Sequence, residues 1–164
     1  MDECNYKEIS VRTAYVSDVA ELGPNLREAD KNEVYAIAGL DGTTGLLFSF
    51  QHSNVCYTIE DNETKEPLAM FGTCSREDRT SGDVWFLGSD ALFSKGSKRI
   101  CFLKNSKFWV EKLFGAYKIL GNYVDKRNTK HIQWLKWLGF TFIEDVHNFG
   151  YEGRTFKHFY KERT

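Results

Sequence analysis

Proline is nearly missing from this chain: Pro24 and Pro67 are the two in 164 residues. No Pro-, Gly- or Ser-rich stretch marks a linker and no segment repeats, so a single domain over residues 1–164 is expected. Long hydrophobic runs are missing too, since no window approaches the roughly 18 apolar residues of a membrane-spanning helix. The start, Met1-Asp2-Glu3-Cys4-Asn5-Tyr6-Lys7-Glu8, is polar and acidic, unlike a secretory signal. Cys4, Cys56, Cys74 and Cys101 form no C-x-x-C pair. Reduced thiols in a cytosolic protein are therefore expected rather than a disulfide framework. The paired ligand spacing of a zinc site is absent as well, so no metal site is expected. Aromatic residues are plentiful instead, at 15%, which predicts a core built around Phe, Tyr and Trp.

Positive charge is scarce over the first part of the chain. Residues 1–94 carry 7 Lys or Arg against 17 Asp or Glu, a net of −10. Residues 95–136 reverse this, with 11 against 2 and a net of +9, while residues 137–164 carry 4 of each. A basic block on an acidic chain points to an anionic partner at 95–136: nucleic acid, a nucleotide phosphate or an acidic protein face. The other reading is a solvated helix face that pairs with the acidic part of the same molecule.

Side-chain periodicity supplies the elements. Ile9 to Ala14 alternates as a strand, and Ser17 to Leu22 reads as a helical turn that Ser17 can cap. Leu26 to Ala38 has a helical pattern, and Gly42 to Phe50 a weaker one. Residues 54–73 form two alternating runs around the polar Asp61–Glu66 turn, which predicts a β-hairpin. Val84-Trp85-Phe86-Leu87-Gly88 is nearly all apolar, as a strand covered on both faces requires. A helix over Phe102 to Tyr117, a strand over Lys118 to Val124, and a helix that Asn128 or Thr129 can cap follow. Gly139 ends that helix before the strand Phe140 to Ile143, and Thr155 to Tyr160 closes the chain as a strand. A hairpin feeding a central strand, then alternating helices and strands, predicts a mixed α/β sheet covered on both faces.

The stretch Asn122-Tyr123-Val124-Asp125-Lys126-Arg127-Asn128, followed by a helix ending Trp137-Leu138-Gly139-Phe140, resembles the C-terminal part of the GNAT (GCN5-related N-acetyltransferase) fold. Further pieces are Leu26 to Val34, Ala69-Met70-Phe71-Gly72, Val84 to Ser89, and a basic-aromatic helix near Arg99 to Trp109. Together with Asn122 to Phe140, and in that order, they are similar to a small GNAT-like family of tailed bacteriophages described as internal virion or virion-assembly proteins. The resemblance implies an α/β fold: a single GNAT-like domain with a mixed central sheet and helices on both faces. It also implies phage or host proteins as partners, and a location in the host cytoplasm during infection or in the virion.

In active members of the wider fold, an Arg/Gln-x-x-Gly-x-Gly/Ala loop after the central strand binds the pyrophosphate of acetyl-coenzyme A through backbone N–H groups at a helix N-terminus. The corresponding stretch here is Phe93-Ser94-Lys95-Gly96-Ser97-Lys98-Arg99-Ile100-Cys101, with one glycine where that loop has two. It is a degenerate loop, although Lys95, Lys98 and Arg99 offer side-chain contacts to phosphate. Acetyl-coenzyme A is thus the cofactor implied, with Lys95, Gly96, Lys98, Arg99, Asn122 and Asn128 as candidate binding residues. Acyl transfer to an amine needs a base and an acid for the leaving thiolate. Glu33 is the candidate base and Tyr117 or Tyr123 the candidate acid, Tyr123 being preferred; their blander roles are a helix-surface carboxylate and a core aromatic. Three functions stay open. One is a phage GNAT-like protein acting in virion assembly or as an internal virion or host-interaction protein. Another is an active acetyl-coenzyme A-dependent N-acyltransferase. The last is a nucleic-acid-binding module using residues 95–136.

Overall fold

The computed structural model describes residues 8–94 and 96–164. In chain order the elements are β1 (Ile9–Thr13), α1 (Val16–Leu22), α2 (Glu28–Ala38), α3 (Gly42–His52), β2 (Val55–Asp61), β3 (Pro67–Ser75) and β4 (Ser81–Gly88). They continue as α4 (Asp90–Ser94), α5 (Gly96–Phe114), β5 (Ile119–Asp125), α6 (Thr129–Trp137), β6 (Thr141–Phe149) and β7 (Arg154–Glu162). One seven-stranded sheet results, ordered β1-β2-β3-β4-β5-β7-β6. Every neighbouring pair is antiparallel except β4 and β5, which are parallel and joined through α4 and α5, as parallel strands need a long crossover.

The apolar run of β4 has the expected consequence. Phe86 faces the cluster formed with Phe102, Val110 and Leu113 of α5 and Leu135 of α6. Leu87 turns to the opposite face, where Leu22, Leu46 and Met70 cover it. Helices therefore lie on both sides of the sheet, and each such large side chain taken out of water contributes about 1.5–3 kcal/mol. Of the two tryptophans on α6, Trp134 packs against Phe86 and Phe102, whereas Trp137 is exposed.

Several boundaries differ from the sequence reading for local reasons. Ser17 does not start α1; the Asp18 carboxylate accepts from the Tyr15 N–H (2.8 Å) and closes that turn instead. The weak pattern at 42–50 is a full helix, α3, because Asp41 caps it by accepting from the Thr44 N–H (2.9 Å). α2 and α3 cross closely at Gly45, where a methyl group would fall 2.1 Å from a Val34 methyl. β6 extends to Phe149 as an edge strand, its polar residues facing solvent. The hairpin tip beyond it folds over the end of α2: the Tyr151 and Glu152 N–H groups donate to the Ile37 and Ala36 carbonyls (3.0 and 3.1 Å).

Candidate functional site

β4 and β5 pair at only three positions, Ser81 with Ile119, Gly82 with Leu120 and Asp83 with Gly121, and then part. Asn122 sits where they separate. Its side-chain amide donates to the Val84 carbonyl (3.0 Å) and its side-chain oxygen accepts from the Tyr123 N–H (2.8 Å). Beyond it the sheet is split, and a cavity of about 200 Å³ runs through the split. Trp85 and Val34 line it from one face; Phe86, Trp109, Trp134 and His131 line it from the other. An apolar cavity of roughly 150 Å³ already suffices to admit a benzene-sized group.

α2 fills the mouth of this split with its own polar groups. The Arg27 N–H donates to the Gly88 carbonyl (2.8 Å), and Asp30 accepts from the Gly88 N–H (2.9 Å). Both backbone groups at the end of β4 are thereby used. Asp30 is fully buried and also pairs with the Arg27 guanidinium (2.8 Å), which stacks over the Phe93 ring. One helical turn on, Glu33 accepts from the Asp125 N–H of β5 (2.5 Å). Two carboxylates three residues apart thus hold the two diverging strands, one each. Asp125 in turn anchors Arg127 of the following turn (2.6 Å).

Burial dominates the chemistry of this cluster. It pushes the Glu33 carboxyl up to about 8, helped by the nearby Asp30 and Asp125 charges and opposed by the Asp125 N–H. It also pulls His131 down to about 4. His131 keeps some exposure as a residue, but its Nδ1 is shut off from solvent and has no hydrogen-bond partner. Glu33 is therefore not the helix-surface carboxylate of the bland reading; it is buried beneath the split.

The other expected site residues are dispersed. Tyr123 lines the cavity, its ring stacked between Phe149 and His158 at 4.8 and 4.6 Å. Asn128 stands before α6 but makes no side-chain cap; its buried amide lies beside the Glu33 carboxyl, whose charged form it favours. Gly96, Lys98 and Arg99 occupy the first turns of α5, and Lys95 lies outside the described residues. Lys98 is ion-paired with the buried Asp61 of β2, and Ser97 donates to Glu8 (2.6 Å). The positive end of α5 thus already faces two carboxylates of the same chain. A methyl group at Gly96 would meet nothing within 4 Å. An acetyl-coenzyme A pyrophosphate at this helix start would compete with Asp61 and Glu8 for the Lys98 and Ser97 side chains.

The basic block is partly neutralised in the same way. Lys126 and Arg127 pair with Asp145 and Asp125, and Lys107 and Lys112 lie over the rings of Trp137 and Trp109. Of the aromatics among these lysines, Phe102 is core and Trp109 packs on Tyr57 and Phe71, which leaves Phe108 exposed. Asp30 and His131 join this site without being singled out by the sequence pattern. Asp30 was visible as the carboxylate at i−3 from Glu33; nothing in the order of residues placed His131 beside them.

Comparison with known proteins bears on both fold and family. Residues 50–147 match the family described as "Bacteriophage T7, probable scaffold protein Gp13". The probable scaffold protein gp13 of Escherichia phage T7 is 31% identical over 102 residues, covering 62% of this chain and 68% of that protein. Among solved structures, a GNAT-family acetyltransferase from Streptococcus pneumoniae is similar at a TM-score of 0.67 and 17% identity, covering 96% of this chain and 100% of the other. Spermidine N-acetyltransferase from Vibrio cholerae, in complex with CoA and spermine, is similar at 0.68 and 11% identity, covering 96% of each chain. At these identities the structural likeness establishes the GNAT fold and nothing further. Among the described residues no helix is long and apolar enough to cross a membrane.

Proposed function

The chain belongs to the family of the bacteriophage T7 probable scaffold protein Gp13, and from that premise we propose that it serves virion assembly as a GNAT-fold protein without acetyl-coenzyme A chemistry. The observation that carries this reading is the pairing of Lys98 with Asp61 at the start of α5. A helix N-terminus binds phosphate because its N–H groups and dipole face an anion; here Asp61 of β2 and Glu8 hold the Lys98 and Ser97 side chains of that first turn. The Asp30 and Arg27 contacts to Gly88 support the same reading, because they use the backbone groups that the end of β4 would otherwise present to a ligand. The fold then acts as a rigid platform, and its partners are phage or host proteins met in the infected cell or in the assembling particle.

Genetic removal tests the assembly role. Deleting the gene from its phage is expected to leave particles incomplete or non-infectious, with the defect repaired by the wild-type chain supplied in trans. Normal yields of infectious particles without the gene would sink the proposal.

A further inference from the structure

The carboxylates that hold the split sheet also meet an imidazole. Asp30 and Glu33 are three residues apart on α2 and so share a face. α6 brings His131 against them, and one ligand atom of each residue lies within 4.8 Å of the other two. Exposed acidic groups gather in this way without meaning; this group is different in being buried and mixed. Asp30 and Glu33 are both buried, and His131 Nδ1 is closed off from solvent without a partner. A buried polar nitrogen left unpaired is costly and rare, and a bond to a metal ion is one way of satisfying it.

We propose that Asp30, Glu33 and His131 form a binding site for a divalent metal ion of the zinc class, which ties α2 to α6 across the mouth of the β4–β5 split. The donor set selects the ion. Imidazole with two carboxylates suits zinc and its neighbours, whereas magnesium and calcium prefer oxygen alone. Metal sites also depend on the groups that orient their ligands, and these are in place. Asp30 is held by the Gly88 N–H and by Arg27, and Glu33 by the Asp125 N–H. Charge points the same way. Arg27 pairs with Asp30 and Arg127 with Asp125, while Glu33 makes no ion pair among the described residues and feels Arg127 only at longer range. Arg27 opposes a second cation at Asp30, so binding depends most on Glu33 and His131. Three protein ligands leave at least one coordination position, and both Glu33 and His131 line the cavity through which an ion or water reaches it.

The test is a titration of chelator-treated full-length protein with Zn²⁺ by calorimetry, with Co²⁺ absorption as a second probe. One equivalent is expected to bind, with a Co²⁺ visible band and a raised thermal midpoint. Glu33→Gln and His131→Gln, each checked for native circular dichroism, are expected to weaken binding by at least about tenfold and to remove the band. Failure of the folded wild-type protein to bind either ion overturns the site. So does binding that survives both substitutions unchanged, since the ion would then sit elsewhere, for example on the surface histidines His147 or His158.

Discussion

Removing the Asp30 carboxylate takes the acceptor from the Gly88 N–H and from two guanidinium nitrogens of Arg27 at once. Losing one partner of a buried ion pair typically costs about 3–5 kcal/mol, because the other charge stays buried. Asp30→Ala is therefore expected to lower unfolding stability by that order, read from urea denaturation. Glu33 and His131 set a pH dependence in the metal-free protein. Burial raises the Glu33 carboxyl from 4.5 to about 8, so the folded chain keeps a proton there that the unfolded chain gives up, and stability falls as pH rises through that window. Burial lowers His131 from 6.5 to about 4, so its contribution is present above 6.5 and lost as pH falls toward 4. The two offset each other between about pH 4.5 and 6.5. From 6.5 to 8 Glu33 acts alone, and stability is expected to fall by up to about 1.4 kcal/mol per pH unit. Urea unfolding at a series of pH values checks this, and Glu33→Gln should flatten the limb. Cysteine reactivity offers a third check: burial pushes the Cys56 thiol up to about 12, so it should resist alkylation at pH 8 until the chain unfolds.

The hairpin β6–β7 and the helix α2 meet at Gly150, whose φ of +71° is a conformation that L side chains rarely adopt. A methyl group there would also lie 2.6 Å from the Ala36 carbonyl oxygen. Gly150→Ala is expected to cost about 1–3 kcal/mol and to loosen α2 over the split, seen as faster amide exchange in residues 33–38. At this scale the sequence was legible wherever a period ran unbroken. The hairpin at 54–73, the buried β4 and the strand–helix–strand unit from Lys118 onward were all foreseeable, and each is present. α3 is only weakly legible because Gly42, Thr43 and Gly45 mask a helix that Asp41 caps and Leu46 buries. β6 is legible only to Ile143 because an exposed edge strand carries polar residues on both sides of the pleat, so its pattern fades. The first turns of α5 carry no apolar period because Ser97, Lys98 and Arg99 do not face the core.

At the scale of the whole molecule, an acetyltransferase fold is held open at β4–β5 and closed by its own carboxylates. The resemblance points to the GNAT fold and to a family of phage virion-assembly proteins; the fold is present, and the family is that of the T7 probable scaffold protein Gp13. The stretch Phe93 to Cys101 visibly carries one glycine where the acetyl-coenzyme A loop of that fold has two. The contacts made there are not visible in the sequence, because Asp61 lies 37 residues from Lys98 and the cluster draws Asp30, Glu33, Asp125 and His131 from three separate elements. Such encounters are set by sheet topology rather than by any local pattern. The central claim is that these internal contacts occupy the groups acetyl-coenzyme A would need. Calorimetric titration of the folded, full-length protein with acetyl-coenzyme A tests it most directly. No saturable heat is predicted up to millimolar ligand. A one-to-one isotherm at micromolar Kd, weakened by Lys98→Ala with Arg99→Ala, would contradict the account.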